Sequence, residues 1–194
     1  MAKRVFFSFH YQDVIDFRAN VVRNHWMTKP DRNAAGFFDA SLWESSKKQG
    51  DIVLKRLINS GISGTANTCV LIGSETYARR WVRYEIMKSF KKGNKLIGVN
   101  IKSIRDRNKI IKKKGPNPFE YLGITISNTG KKVTLWEKKS GKWIEYNEVD
   151  GKASYITGQW NQSYWGEGFT LSQLYNTYDW VADHGYDNFS KWVN

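Results

Sequence analysis

The feature that most constrains this chain is an alternation running through its first hundred residues, in which short apolar runs are followed by stretches of helical spacing. Val5-Phe6-Phe7-Ser8-Phe9 is nearly continuous in its apolarity, as expected for a strand buried on both faces of a parallel sheet. Helical spacing follows, with Val14, Phe17, Val21 and Val22 on one face and Asp13 and Asp16 placed for the first turn. Gly36-Phe37-Phe38-Asp39-Ala40 reads as a second, short strand ending in a carboxylate. Ile52, Leu54, Leu57 and Ile58 predict a helix that stops near Gly61. Thr68 to Gly73 is a third strand, Arg79 to Lys92 a helix, and Lys95 to Ile101 a fourth strand. Strands and helices in strict alternation imply an α/β fold, an open parallel sheet with helices on both faces.

Near residue 102 the pattern changes. Lys112-Lys113-Lys114-Gly115-Pro116-Asn117-Pro118 is a basic, broken loop, and Val133–Trp136 and Lys142–Tyr146 flank Ser140-Gly141 like the arms of a hairpin. Leu171 to Asp183 returns to helical spacing, and Tyr186 to Val193 predicts a last short helix. The expected organisation is a sheet domain, 1–102, and a C-terminal α+β elaboration, 103–194, packed on the same domain. The elaboration holds six of the nine tryptophans.

At 194 residues, 40% hydrophobic and 15% aromatic, the chain can bury a sizeable core, which excludes wholesale disorder. No apolar run approaches the roughly 18 residues of a membrane-spanning helix, and no apolar stretch of a secretory signal follows the first basic residues. With a single cysteine, Cys69, and no Cys/His cluster at zinc-ligand spacing, the expectations are a cytoplasmic protein, no membrane partner and no metal. The net charge of +13 favours anionic partners. Between Ile86 and Lys114 there are eleven Lys/Arg and one acid, Asp106; a solvated face followed by a basic loop accounts for them, and no nucleic-acid motif interleaves aromatics with these charges.

There is no phosphate loop or dinucleotide fingerprint. In a parallel sheet ligands bind outside the carboxyl ends of the strands, which directs attention to Ser74 through Ile86, opening a helix after the third strand. Trp81 and Glu85, four residues apart, share a stripe on it. An aromatic plane beside a carboxylate can stack on a base and balance positive charge forming at a sugar. Equally, Trp81 could be a core aromatic and Glu85 the partner of Lys88 or Arg79. Ser8-Phe9-His10-Tyr11 at the first strand exit and Asp39 at the second would join the same edge, where His10 could also be a surface loop residue and Asp39 a cap.

Val5-Phe6-Phe7-Ser8-Phe9-His10, Phe37-Phe38-Asp39 and the series Ser74-x-x-Tyr77-x-x-x-Trp81-x-x-x-Glu85 resemble, in order and spacing, Toll/interleukin-receptor (TIR) domains over residues 3 to about 102. The whole chain resembles the TIR-like proteins of the bacterial Thoeris anti-phage defence system, through Arg80–Ser89, Lys114–Phe119 and Tyr178–Ala182. The resemblance implies a flavodoxin-like fold and cleavage of the nicotinamide–ribose bond of NAD+ with Glu85 as the catalytic carboxylate. It implies NAD+ as substrate with no cofactor, a phage-derived trigger, and a cyclic ADP-ribose-type signal that activates a separate sirtuin-like effector. By position Ser8, Phe9 and His10 would line the substrate, Asp39 and Trp43 the opposite wall, and Trp81 would neighbour Glu85. His10 stands where family members often carry a basic residue. A non-catalytic TIR-like scaffold recruiting the effector, and a basic nucleic-acid-binding protein, remain alternatives.

Overall fold

The computed structural model describes residues 3–38 and 40–193; Asp39 lies outside the described residues. Five strands form the parallel sheet: β1 (Lys3–Ser8), β2 (Arg32–Ala35), β3 (Asn67–Ile72), β4 (Lys95–Asn100) and β10 (Thr177–Asp179), in the order β2-β1-β3-β4-β10. This is the flavodoxin-like order, whose reversal point lies between β1 and β3. Their register sets Ser8 opposite Val70 and Ile72 opposite Asn100.

The central strands are buried on both faces, and the period of two sorts their side chains. Phe6, Val70, Ile72 and Leu96 face α4 (Asp51–Ile62) and α5 (Arg80–Lys92); Val5, Phe7, Cys69, Leu71, Ile97 and Val99 face α2 (Arg18–Met27) and α7 (Gly185–Trp192). Beyond α4 and α5 lies an antiparallel sheet of β5 (Leu122–Ile126), β6 (Lys132–Lys139), β7 (Lys142–Glu145) and β9 (Gly168–Thr170), with β8 (Ser154–Ile156) also paired to β6. Leu122, Ile124, Ile126, Val133 and Leu135 join the same apolar cluster as Ile58, Ile86 and Phe90, so both helices are covered on two sides. The β6–β7 hairpin turns at Ser140 and Gly141, both with positive φ, the conformation a two-residue hairpin turn demands.

Four sequence expectations differ from what is observed. The helix after β1 is two helices, α1 (Tyr11–Ile15) and α2, because Phe17 adopts φ 64°, which turns its side chain out to solvent. The second strand is Arg32–Ala35 rather than 36–40: at the sheet edge Arg-Asn-Ala-Ala pairs on one side with only Ala35 buried, so no continuous apolar run is needed, and Gly36 already turns away at φ 91°. Ile52 is on the exposed side of α4. The run from Leu171 to Asp183 is not one helix, since α6 (Leu171–Leu174) ends after one turn and β10 follows, supplying the fifth parallel strand through pairing with β4. An additional helix, α3 (Ala40–Lys48), occupies the region after Phe38.

Gly36 is required for space as well as for its backbone angle. A Cβ built there would lie 2.1 Å from the carbonyl oxygen of Phe7. Gly36→Ala is therefore expected to cost about 2–4 kcal/mol in strain and displaced backbone, read as a lowered urea midpoint with an unchanged slope.

Candidate active site

The carboxyl ends of β1 and β2 and the first turns of α5 meet around Glu85. The apolar spacing of α5 sets Val82, Ile86 and Phe90 into the core, and Glu85, one position before Ile86, is carried inward with them to 5% exposure. Its partner comes from β1. The Ser8 hydroxyl, fully buried, donates to Glu85 Oε2 at 2.6 Å. The sequence-level pairings with Arg79 or Lys88 are not those observed: Arg79 bonds Glu75 and Lys88 bonds Asp150.

Around the carboxyl stand Phe7, Phe9, Tyr11, Gly36, Phe38 and Trp43. Phe38 and Trp43 stack with centroids 5.9 Å apart, and Phe9 lies 4.4 Å from Phe37. In this apolar surrounding the charged form is poorly solvated, so burial pushes the Glu85 carboxyl up to about 8, with the Ser8 hydrogen bond pulling weakly the other way. At neutral pH the resting carboxyl is mostly protonated. The free space beside it is only about 60 Å³, well below the ~300–1,000 Å³ of ordinary ligand pockets.

Of the sequence-predicted residues, the structure brings Ser8, Phe9, Trp43 and Glu85 together. Trp81 is on the same helix one turn earlier but does not line this pocket. Its ring packs edge-on to Tyr84 at 6.0 Å and lies under the Arg80 guanidinium at 4.7 Å. His10 faces a neighbouring cleft with Gln12, Asp13, Ser74, Arg79 and Lys112. Burial lowers its pKa, and the charges of Arg79 and Lys112 act in the same direction, so the imidazole is neutral at pH 7. Tyr11, from the first strand exit singled out in the sequence, also lines the pocket, whereas Phe7, Gly36 and Phe38 were not singled out as site residues; their position at the exits of β1 and β2 was the available signal.

Asp13 forms the floor of that second cleft. It is 3% exposed, its Oδ2 has no hydrogen-bond partner, and burial raises its pKa to about 6. A Cβ on Gly73 would lie 2.3 Å from this oxygen, so the β3 exit approaches α1 as closely as a glycine permits. Among the described residues no group of three His, Cys, Asp or Glu side chains is placed to hold a metal ion, and no helix is long and apolar enough to cross a membrane.

The raised Glu85 pKa has a thermodynamic consequence. The folded state holds this proton more tightly than the unfolded chain, whose carboxyl titrates near 4.5. Its contribution is therefore fully present below that range and is lost as pH climbs toward 8. Asp13 acts in the same direction only up to about 6, and the lowered pKa values of His10 and His25 act below about 6.5. Between pH 6.5 and 8 stability should thus fall by up to ~1.4 kcal/mol per pH unit, and Glu85→Gln should flatten that slope in urea titrations at four pH values.

The family model described as "Thoeris protein ThsB, TIR-like domain" matches residues 6–106, from within β1 to beyond β4, and spans the whole Glu85 pocket. A protein from Bacillus cereus (strain MSX-D12) named "Putative cyclic ADP-D-ribose synthase ThsB1" is 60% identical over 195 residues, covering 100% of both chains. A parallel sheet of flavodoxin-like order, a buried glutamate at its carboxyl edge and full-length similarity converge on one assignment: the chain belongs to the Thoeris ThsB family of TIR-like proteins.

Proposed function

We propose that this protein cleaves NAD+ at the nicotinamide–ribose bond and releases a cyclic ADP-ribose-type signal in anti-phage defence, with Glu85 as the catalytic carboxylate. The observation that carries this reading is the Glu85 pocket itself, an isolated buried carboxyl bonded to Ser8 within aromatic walls. It occurs in a chain 60% identical, end to end, to the Bacillus cereus protein named "Putative cyclic ADP-D-ribose synthase ThsB1".

The chemistry asks little more of the protein. Nicotinamide in NAD+ is already a cationic leaving group, so its departure needs no general acid. What must be stabilised is the oxocarbenium-like ribose, a task carboxylates perform in glycoside cleavage. Glu85 does this only when ionised. A cationic nicotinamide ring entering the pocket favours the charged carboxylate and draws its pKa down, so substrate binding itself arms the group. Ser8 orients the carboxyl through Oε2, leaving the other oxygen for the ribose. Phe9, Phe38 and Trp43 exclude water, which cyclisation requires if a second nucleophile of the same molecule is to capture the ribose. No cofactor enters this scheme.

The space beside Glu85 does not admit a nicotinamide riboside without opening, and in this reading the Phe38 and Trp43 rings move apart to let it in. A closed resting pocket fits a protein held inactive until a phage-derived trigger arrives. The released nucleotide would then act on a separate sirtuin-like effector.

Cells expressing the chain or its Glu85→Gln variant, infected and analysed by mass spectrometry, should yield an ADP-ribose-derived species only with Glu85 and only after infection. Resistance that persists with the effector but without such a species would favour the scaffold reading. In vitro, Glu85→Gln is expected to reduce NAD+ cleavage about a hundredfold or more, and full activity in that variant would remove Glu85 from the mechanism. kcat/KM, which reports the free enzyme, should rise with pH toward 8. Ser8→Ala, which removes the hydrogen bond that lowers the Glu85 pKa, should move that rise to still higher pH.

A further inference from the structure

The basic loop after β4 is held in place by an arginine the rest of the site does not use. Arg18 is 1% exposed, and its guanidinium donates to the carbonyls of Ile104 at 2.9 Å and Ile110 at 2.8 Å while pairing with Asp16 and Asp106. Asp106 in turn accepts from the backbone of Asn108 and Ile110. Further along, the Lys112 N–H donates to the Lys102 carbonyl, and Ser74 Oγ donates to the Lys113 carbonyl at 3.0 Å. A Cβ on Gly115 would lie 2.2 Å from the Gly73 oxygen, so the loop backbone is pressed against the β3 exit. A merely solvated basic loop has no use for a buried clamp of this kind.

What the clamp delivers is Lys112. It reaches the cleft of about 370 Å³ beside His10, Gln12, Asp13, Ser74 and Arg79, large enough for part of a nucleotide. This cleft adjoins the Glu85 pocket through the β1 exit, where Phe9 and Tyr11 face one and His10 and Gln12 the other. Arg79 precedes Glu85 by six residues, or about 9 Å along a helix axis, within the reach of one dinucleotide.

We infer that this cleft holds the ADP half of NAD+, with Lys112 of the 103–117 loop and Arg79 meeting the diphosphate. The inference rests on the reading of the protein as NAD+-cleaving. The mixture of groups suits a nucleoside diphosphate better than a bare anion, since phosphates need cationic donors and ribose hydroxyls need acceptors such as Asp13 and Glu75. The present partners of the two cations do not bar this. Arg79 pairs with Glu75 in an exposed contact of little worth, and Lys112 has three donors, one of which meets Asp16. Lys112 lies beyond the residues 6–106 that the family model covers, so the C-terminal part of the chain completes a site begun by the sheet.

The test uses the full chain and two readouts, calorimetric titration with ADP and steady-state NAD+ cleavage. Lys112→Met should weaken ADP binding and raise KM for NAD+ roughly tenfold or more, the worth of one charge-assisted hydrogen bond, with kcat little changed. Lys112→Arg should restore most of both, and Lys113→Met, the same charge change next door on an exposed side chain, should alter neither. Absence of ADP binding by the wild-type chain, or equal losses in the Lys112 and Lys113 variants, would overturn the subsite. NAD+ cleavage with an unchanged KM in Lys112→Met would sink it while leaving the NAD+ reading standing. Lys112-dependent ADP binding in a protein that cleaves no NAD+, even with lysate of infected cells, would keep the subsite and remove that reading.

Discussion

Everything at the carboxyl edge follows from the burial of one acid. Glu85 is carried into the interior by a helix whose neighbouring positions are apolar, and the single hydroxyl of Ser8 is too weak a partner to keep it charged. That arrangement fixes the protonation of the resting carboxyl and demands that its surroundings be apolar. It also makes access to it depend on the aromatic residues following β2. A more exposed carboxylate would be charged at rest, but its field on any neighbouring cation would be screened by water. The desolvation that disfavours the charged form in the empty site strengthens its attraction to a cation in the filled one.

The helix that carries Glu85 is held from both sides. The parallel sheet contacts one face, and the antiparallel sheet closes over the other. Along the rim Arg83 pairs with Glu137 at 2.9 Å, Arg80 with Asp51 and Glu148, and Lys88 and Lys91 with Asp150. Part of the strongly basic 86–114 stretch is thereby matched by acids from the C-terminal half. The cations of α5 fasten the second sheet, whereas Lys112 is turned toward the cleft beside His10.

How much of this was legible follows from the kind of signal each element carries. β1, β3 and β4 could be read because strands buried on both faces must be apolar throughout. β10 could not. Thr177-Tyr178-Asp179 is three residues with no apolar run, and it is a strand only because β4 offers an open edge. The break at Phe17 was hidden too, since an aromatic in a left-handed conformation leaves no mark on periodicity. At the site, spacing placed Trp81 and Glu85 on one stripe beside that of Val82, Ile86 and Phe90, but which of the two enters the core is decided by the width of the apolar face and by the sheet packed on it. Of the residues the family resemblance pointed to, Glu85 lines the pocket and Trp81 packs beneath Arg80. The contribution of Lys112 is a long-range contact, 96 residues from Asp16, and no local pattern announces it.

The fifth parallel strand also bears on how such a protein comes into being. β4 ends at Asn100 and its outer partner begins at Thr177. At synthesis rates of ~5–20 residues per second, several seconds separate the two during translation. Through that interval the nascent sheet presents an unpaired apolar edge, the kind of surface that invites wrong partners. A chain interrupted before residue 177 would lack the edge strand and Trp180, Phe189 and Trp192 of the core facing α2. The sheet beneath α5 is therefore completed late in synthesis, when Thr177–Asp179 closes over β4.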